Sequence, residues 1–372
     1  MSTLATNAIT DAAGGNTATI NGYTPTVSNM AGRNRIINGD MRIDQRNAGA
    51  AVTGDGAYPV DRFQLRNGSD GTVSGQQISD APSGFVNSFK WTTTAADASL
   101  SAAQYTAVYT NIEGLNITDF AWGTASAATV TLSFWVKSSI TGTFSGALAN
   151  SAYDRSYPFN YTISVASTWE YKTITIAGDT SGTWLTTNGI GIRLYMSLGA
   201  GSDFTGTANA WNATGRTAST TGTASVIGTL NATWQITGVQ LEAGSVATPF
   251  ENVDYSEMLR RCQRYFSKSN DQSAGLPALT GTDIYYQNAG GICTDTEDFA
   301  PCSLIFPVVM RAAPTLTISH LKSFNGGLYK NVISAGTLDR GVRFITHDAG
   351  NTGTTYQLGR PYVFAWYASA EL

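Results

Sequence analysis

The chain has 372 residues, a net charge of −4 and only 13% charged side chains, about half the roughly 25% of an ordinary soluble domain. With no basic stripe, no run of about 18 apolar residues and no basic-then-apolar leader, it excludes a nucleic-acid partner and membrane insertion, and no secretory signal is expected. Three cysteines are too few for a disulfide scaffold, and abundant Gly, Thr, Ser and Asn describe β-structure solvated by hydroxyls and amides.

Residues 1–33 are rich in Ser, Thr, Asn and Gly, with isolated hydrophobes that bury no core alone. Two readings stand: a disordered arm, and an anchor that orders on a neighbouring protein. Segment 34–46 (NRIINGDMRIDQR) reads as the opening strand of a sandwich. Ile37, Met41 and Ile43 enter one core there, and Gly39 marks a bulge or bend. Further strands are expected at 58–65 and 85–92.

The clearest strand spans 128–139. Val130, Leu132, Phe134 and Val136 share one face at period two, and Thr129, Thr131, Ser133, Trp135 and Lys137 share the other. Such a strand belongs to an antiparallel sheet with one wet side. Trp135 is its odd member, a large aromatic on the polar face. Segments 169–176 and 189–198 repeat the pattern. In the closing strand the apolar residues shift from Trp234 and Ile236 to Val239 and Leu241 across Gly238, a slip that a glycine bulge restores. Seven or more such strands predict a two-sheet sandwich over 34–251. Jelly-roll crossings are permitted, but spacing alone leaves strand order open.

Residues 252–268 hold one helix. Asp254 and Glu257 stand as N-cap and N3 of a capping-box-like pair. Tyr255, Leu259, Cys262 and Phe266 recur at spacings of four, three and four. A helix of about 12 residues is marginal alone in water, so this stripe docks either on the sandwich or against two other copies. The second arrangement, a trimer interface, is the expectation adopted. Residues 269–372 form a second β-rich unit. Pro307 and Pro314 break its strands in a manner suited to sheet edges, and the apolar end 362–372 is tied into a sheet or a subunit contact. Cys293 and Cys302 either pair or stay as thiols, the latter expected in a reducing cell.

No catalytic set is visible. The two histidines, His320 and His347, have no ligand or triad spacing, and neither a G-x-S-x-G elbow nor a phosphate loop occurs. The acidic stretch 295–298 and the loop at 201–203 read as solvated loops before they read as an acid pair or calcium ligands. No cofactor and no metal are expected. Aromatics on polar faces or in loops (Trp122, Trp135, Tyr153, Tyr157, Trp184, Trp211) either pack or offer platforms to the apolar face of a sugar. Trp184 and Trp211 lead as ligand-binding candidates, because Gly, Thr and Asn surround them and offer little core. Tyr157, with Arg155 nearby, follows.

Seven elements recur in order: RIINGDM at 35–41, LSFWVKS at 132–138, TWEYKTITIAG at 168–178, ITGVQLEAG at 236–244, RCQRYF at 261–266, MRAAPT at 310–315 and AEL at 370–372. Together they resemble the tail-fibre and virion-surface proteins of tailed bacteriophages, which carry a jelly-roll domain like that of carbohydrate-binding modules. The resemblance covers most of the chain. It implies an all-β protein: a jelly-roll β-sandwich, a short helix and a second β-rich C-terminal domain. It implies a non-enzymatic structural protein at the virion surface, homotrimeric, attached to other virion proteins through residues 1–33 and binding a host surface glycan or receptor. A capsid decoration or head-fibre protein with an architectural role, and a polysaccharide depolymerase, are the rival readings.

Overall fold

The structure, a computed structural model, describes residues 32–213, 217–269, 299–318, 321–323, 329–339, 341–347, 362–363 and 366–372. The arm at 1–31, Cys293, the acidic stretch 295–298 and His320 lie outside them, as do the side chains of Cys302 and His347.

Short alternating segments punctuated by Gly and Asn form β1 (Val52–Thr53), β2 (Gln64–Asn67), β3 (Thr72–Ile78), β4 (Ser88–Ala95), β5 (Tyr105–Glu113) and β6 (Val130–Ser138). They continue as β7 (Gly142–Ala149), β8 (Ser156–Ile163), β9 (Glu170–Ile176), β10 (Ile190–Ala200) and β11 (Thr233–Ala243). One sheet has the order β1-β3-β4-β11-β6-β9 and the other β2-β5-β10-β7-β8. From β4 onward each strand crosses to the opposite sheet, except for the β7–β8 hairpin. This wrapping sets β4-β11-β6-β9 against β5-β10-β7-β8, which is a jelly roll, and every named pairing in it is antiparallel.

The period-two residues fill the space between the sheets. Val130, Leu132, Phe134 and Val136 are fully buried, among Phe89, Trp91, Trp234, Phe144, Phe159 and Leu194. Each such side chain stabilises the fold by about 1.5–3 kcal/mol. The buried Trp234 indole finds a polar partner too, donating to the Tyr161 hydroxyl at 3.2 Å. In β11 the predicted bulge is present. Gly238 has φ +62°, and the register against β6 slips between Thr237 and Gln240.

Segment 34–46 is not a strand. Asn38 and Met41 sit in the left-handed region at φ 61° and 58°, which breaks any ladder. The segment lies along β11 instead, with Arg35 N–H donating to the Leu241 carbonyl and Val239 N–H to the Gly39 carbonyl, both at 2.9 Å. A Cβ on Gly39 would lie 2.1 Å from the Val239 carbonyl oxygen, so only glycine allows this approach.

The helix α1 (Tyr255–Gln263) begins at Asp254, whose carboxylate accepts from the Ser256 N–H at 2.9 Å. The predicted stripe does not stay on one exposed face. Met258 and Cys262 pack on Ile43, with Ile37, Val253 and Leu259 beside them. Phe266 lies beyond the helix and is buried, whereas Tyr255 is exposed. The helix therefore docks on its own sandwich, as an amphipathic helix this short must.

Beyond α1 come β12 (Phe266–Lys268), β13 (Phe299–Ile305), β14 (Thr315–Ile318), β15 (Leu321–Ser323), β16 (Tyr329–Leu338), β17 (Gly341–His347), β18 (Tyr362–Val363) and β19 (Trp366–Ser369). They make two sheets, β12-β19-β14 and β13-β17-β16-β15-β18. Pro307 follows β13 and Pro314 precedes β14, and both strands are edges, where the missing N–H costs no ladder bond.

The chain end closes on the sandwich. Glu371 pairs with Arg46 and Arg62. Arg311 donates to the carbonyls of Ala370 and Glu371, and Asn111 donates to the Leu372 carbonyl. Arg264 clamps Glu113 through two nitrogens at 2.9 and 2.6 Å, and the Tyr265 hydroxyl donates to the same carboxylate at 2.6 Å. Of the sequence elements, 35–41 lies along β11, and 310–315 and 370–372 bond to Arg264 and Tyr265 in the 261–266 element.

Candidate functional site

The predicted wet face of β6 is only partly wet. Thr131 and Ser133 point outward from the larger sheet, yet both are buried. The chain returning from β11 covers them. Thr131 Oγ1 donates to the Gly244 carbonyl at 2.8 Å and Thr175 Oγ1 to the Ser245 carbonyl at 3.2 Å. Gln240 and Glu242, on the outward face of β11, fasten this return. Glu242 accepts from the Thr248 N–H and Oγ1 at 2.8 and 2.6 Å, and Gln240 Oε1 accepts from the Glu251 N–H at 2.8 Å.

The fastened return becomes one wall of a groove of about 380 Å3, lined by Phe85, Ser133, Trp135, Tyr171, Gly238, Ala247, Thr248, Pro249 and Phe250. Two aromatic pairs flank it. Trp135 and Tyr171 face each other across the β6–β9 register with ring centroids 5.3 Å apart. Phe85 and Phe250 meet edge-to-face at 5.1 Å. Gly238 makes the groove possible: a Cβ there would lie 2.7 Å from Phe85 Cζ and 3.2 Å from Trp135 Cδ1. The bulge that corrects the facing of β11 thus also admits the two ring systems side by side.

The lining carries no charged side chain. Polar groups stand beside it, one cross-strand step along. Lys137 pairs with Asp80, lies 5.0 Å over the Trp169 ring, and holds the Asp80 carboxyl below its usual range. The Trp169 indole N–H donates to the other Asp80 oxygen at 3.3 Å. Exposed aromatic rings fixed by their neighbours offer stacking surface at low entropic cost. Tyr171 is 43% exposed. Among the described residues, no group of three His, Cys, Asp or Glu converges as a metal site would require.

The structure gathers Trp184, Trp211, Tyr157 and Arg155 in one place, but as packing at one end of the sandwich core. Trp122, Trp184 and Trp211 contact one another with centroids 4.7–5.5 Å apart, and Tyr157 meets Trp211 at 5.1 Å. Trp184 and Tyr157 are buried, and Trp211 packs against the core with part of its surface open. Their polar atoms are engaged inside the chain: Trp184 donates to the Ser181 carbonyl, Trp211 to the Ala177 carbonyl, and Arg155 makes two bonds to Asp179. The loops around them thus contribute core, contrary to the sequence expectation. Of the predicted aromatic candidates, Trp135 is the one that lines the groove. Its partners Phe85, Tyr171 and Phe250 come from three other segments that only the strand register brings together.

No protein-family profile matches the chain, and no curated protein matches it in sequence. Among solved structures it is similar to the enzymatically active domain of tailspike protein 4 from bacteriophage CBA120, at 13% identity and a TM-score of 0.32, over 57% of this chain and 21% of that one. It is also similar to the family 11 carbohydrate-binding module of Clostridium thermocellum in complex with a mixed-linked tetrasaccharide, at 15% identity and a TM-score of 0.28, over 53% of this chain and 98% of that one. The N-terminal cellulose-binding domain of Cellulomonas fimi β-1,4-glucanase C matches at 15% identity and a TM-score of 0.24, over 51% of this chain and 100% of that one. The chain spans about a fifth of the tailspike domain, and likenesses this loose transfer no ligand or activity to it.

Proposed function

We propose that this chain is a non-enzymatic glycan-binding protein whose binding site is the groove between Trp135–Tyr171 and Phe85–Phe250. One observation carries the reading: the outer face of a jelly-roll sheet holds an open groove walled by two fixed aromatic pairs. Sugar rings present C–H faces that stack on such rings. The volume falls at the lower end of small-ligand sites, matching one or two sugar units. The non-catalytic part of the reading rests on the resemblance of the ordered sequence elements to virion-surface proteins.

The virion setting rests on the ordered sequence elements. On that ground the chain is proposed as a tail-fibre-like, homotrimeric surface protein, joined to other virion proteins through residues 1–33 and presenting the groove to the host. Three copies on one fibre convert weak single-site binding into avidity. A glycan array probed with the purified protein and with its Trp135→Ala variant tests the reading. Binding by the parent and its loss in the variant are expected. A blank array with no adhesion to host cells would leave the architectural alternative.

A further inference from the structure

The groove sits on the outward face of β6 and β9, whose paired residues continue past it in both directions. The strands β6 and β9 place Thr131 opposite Thr175, Ser133 opposite Thr173, and Trp135 opposite Tyr171. The return segment crosses the sheet at the Thr131–Thr175 step, where both hydroxyls hold its backbone. That closes the groove on one side of the Trp135–Tyr171 pair. On the other side, the next outward step is Lys137 beside Trp169. Successive outward residues on a strand lie about 7 Å apart, farther than one pyranose ring spans. Asp80 fixes both members of that step, pairing with Lys137 and accepting from the Trp169 indole. The Lys137–Asp80 pair also presents one donor and one acceptor at the edge of an aromatic ring, a combination that suits sugar hydroxyls.

We propose that the site takes the terminus of a linear glycan chain. The end unit sits in the groove against Trp135 and Tyr171. The following units run along β6 and β9 over Trp169 and the Lys137–Asp80 pair. This rests on the glycan-binding reading of the groove and adds to it a direction, an end preference and a second aromatic subsite. The return segment at Gly244 and Ser245 lies across the path of a chain that would continue past the Thr131–Thr175 step.

The test uses the full-length protein, titrated calorimetrically with linear β-linked glucose and N-acetylglucosamine oligomers of one to six units. Affinity is expected to rise about tenfold from one unit to three, as one added stacking contact implies, and then to level off. Trp169→Ala is expected to abolish that rise while leaving the one-unit affinity within about twofold, and Trp135→Ala to weaken every length. Trimers carrying a bulky tag at one end or the other are expected to bind in only one of the two forms. Equal affinity at all lengths, or binding of both tagged forms, overturns the end-on chain while the groove stands. Failure of every oligomer to bind overturns the end-on chain, and a blank array besides removes the groove reading itself.

Discussion

Glu371 and the buried Arg62 form an ion pair 309 residues apart in sequence. The Arg62 guanidinium is stacked 3.6 Å over the Tyr265 ring, and Arg46, bonded to the other Glu371 oxygen at 2.9 Å, lies 3.7 Å over Phe266. The penultimate residue thus locks the chain end to the sandwich through the residues that follow α1. Removing one partner of a buried pair leaves an uncompensated charge and costs about 3–5 kcal/mol. Glu371→Gln is therefore expected to destabilise the protein by about 3 kcal/mol in chemical denaturation. A variant as stable as the parent would mean that the tail contributes nothing to holding the two regions together.

Asp61 lies under the same network. It accepts from the Gln45 side chain at 2.5 Å and from Arg46 at 3.0 Å, yet complete burial pushes its carboxyl up to about 6, from an ordinary 3.8. A folded-state value above the unfolded one means that this group's contribution is fully present below about pH 4 and fades as pH rises through 6. Asp61→Asn, which cannot ionise, is expected to gain stability relative to the parent as pH rises from about 4 to about 6, and to keep a constant advantage above that. Parallel stability curves for the two proteins across that range would refute it.

Gly238 links fold and site. Its left-handed φ and the 2.7 Å approach to Phe85 leave no room for a side chain. Gly238→Ala is expected to cost about 1–3 kcal/mol from backbone strain. It should also displace Phe85 from the groove, so glycan affinity falls further than stability alone explains. Thermal unfolding and calorimetric titration of the one variant separate the two effects.

Much of this fold is legible in the sequence where one sheet face is polar. The alternation of Val130, Leu132, Phe134 and Val136 reads directly, and so does the phase slip at Gly238. Strand β5 does not, because nearly every residue from Tyr105 to Glu113 is buried and no period remains to be read. Segment 34–46 fails for a different reason: its apolar residues suit a strand, but left-handed turns at Asn38 and Met41 satisfy its backbone through contacts with β11 instead. In the site, Trp135 announces itself as an aromatic on a polar face. Phe85 and Phe250 do not, since their meeting depends on a return segment fastened by Gln240 and Glu242. Trp184 and Trp211 mislead because Gly, Thr and Asn flank them; no local pattern shows that their indoles pack on each other and on Trp122.

That contrast supplies the sharpest test of where the ligand goes. Trp135 is half-buried on an exposed face, so Trp135→Ala removes stacking surface without opening the core. It is expected to lower glycan affinity about tenfold and to shift the unfolding midpoint little. Trp184 is buried in the three-indole cluster with its N–H bonded to the Ser181 carbonyl. Trp184→Ala should leave a cavity costing about 3–5 kcal/mol, with glycan affinity unchanged in whatever fraction stays folded. Calorimetric titration of both variants, normalised to folded protein, measures each effect. If Trp184→Ala loses affinity while Trp135→Ala keeps it, binding belongs at the core end of the sandwich and the outer groove has another use.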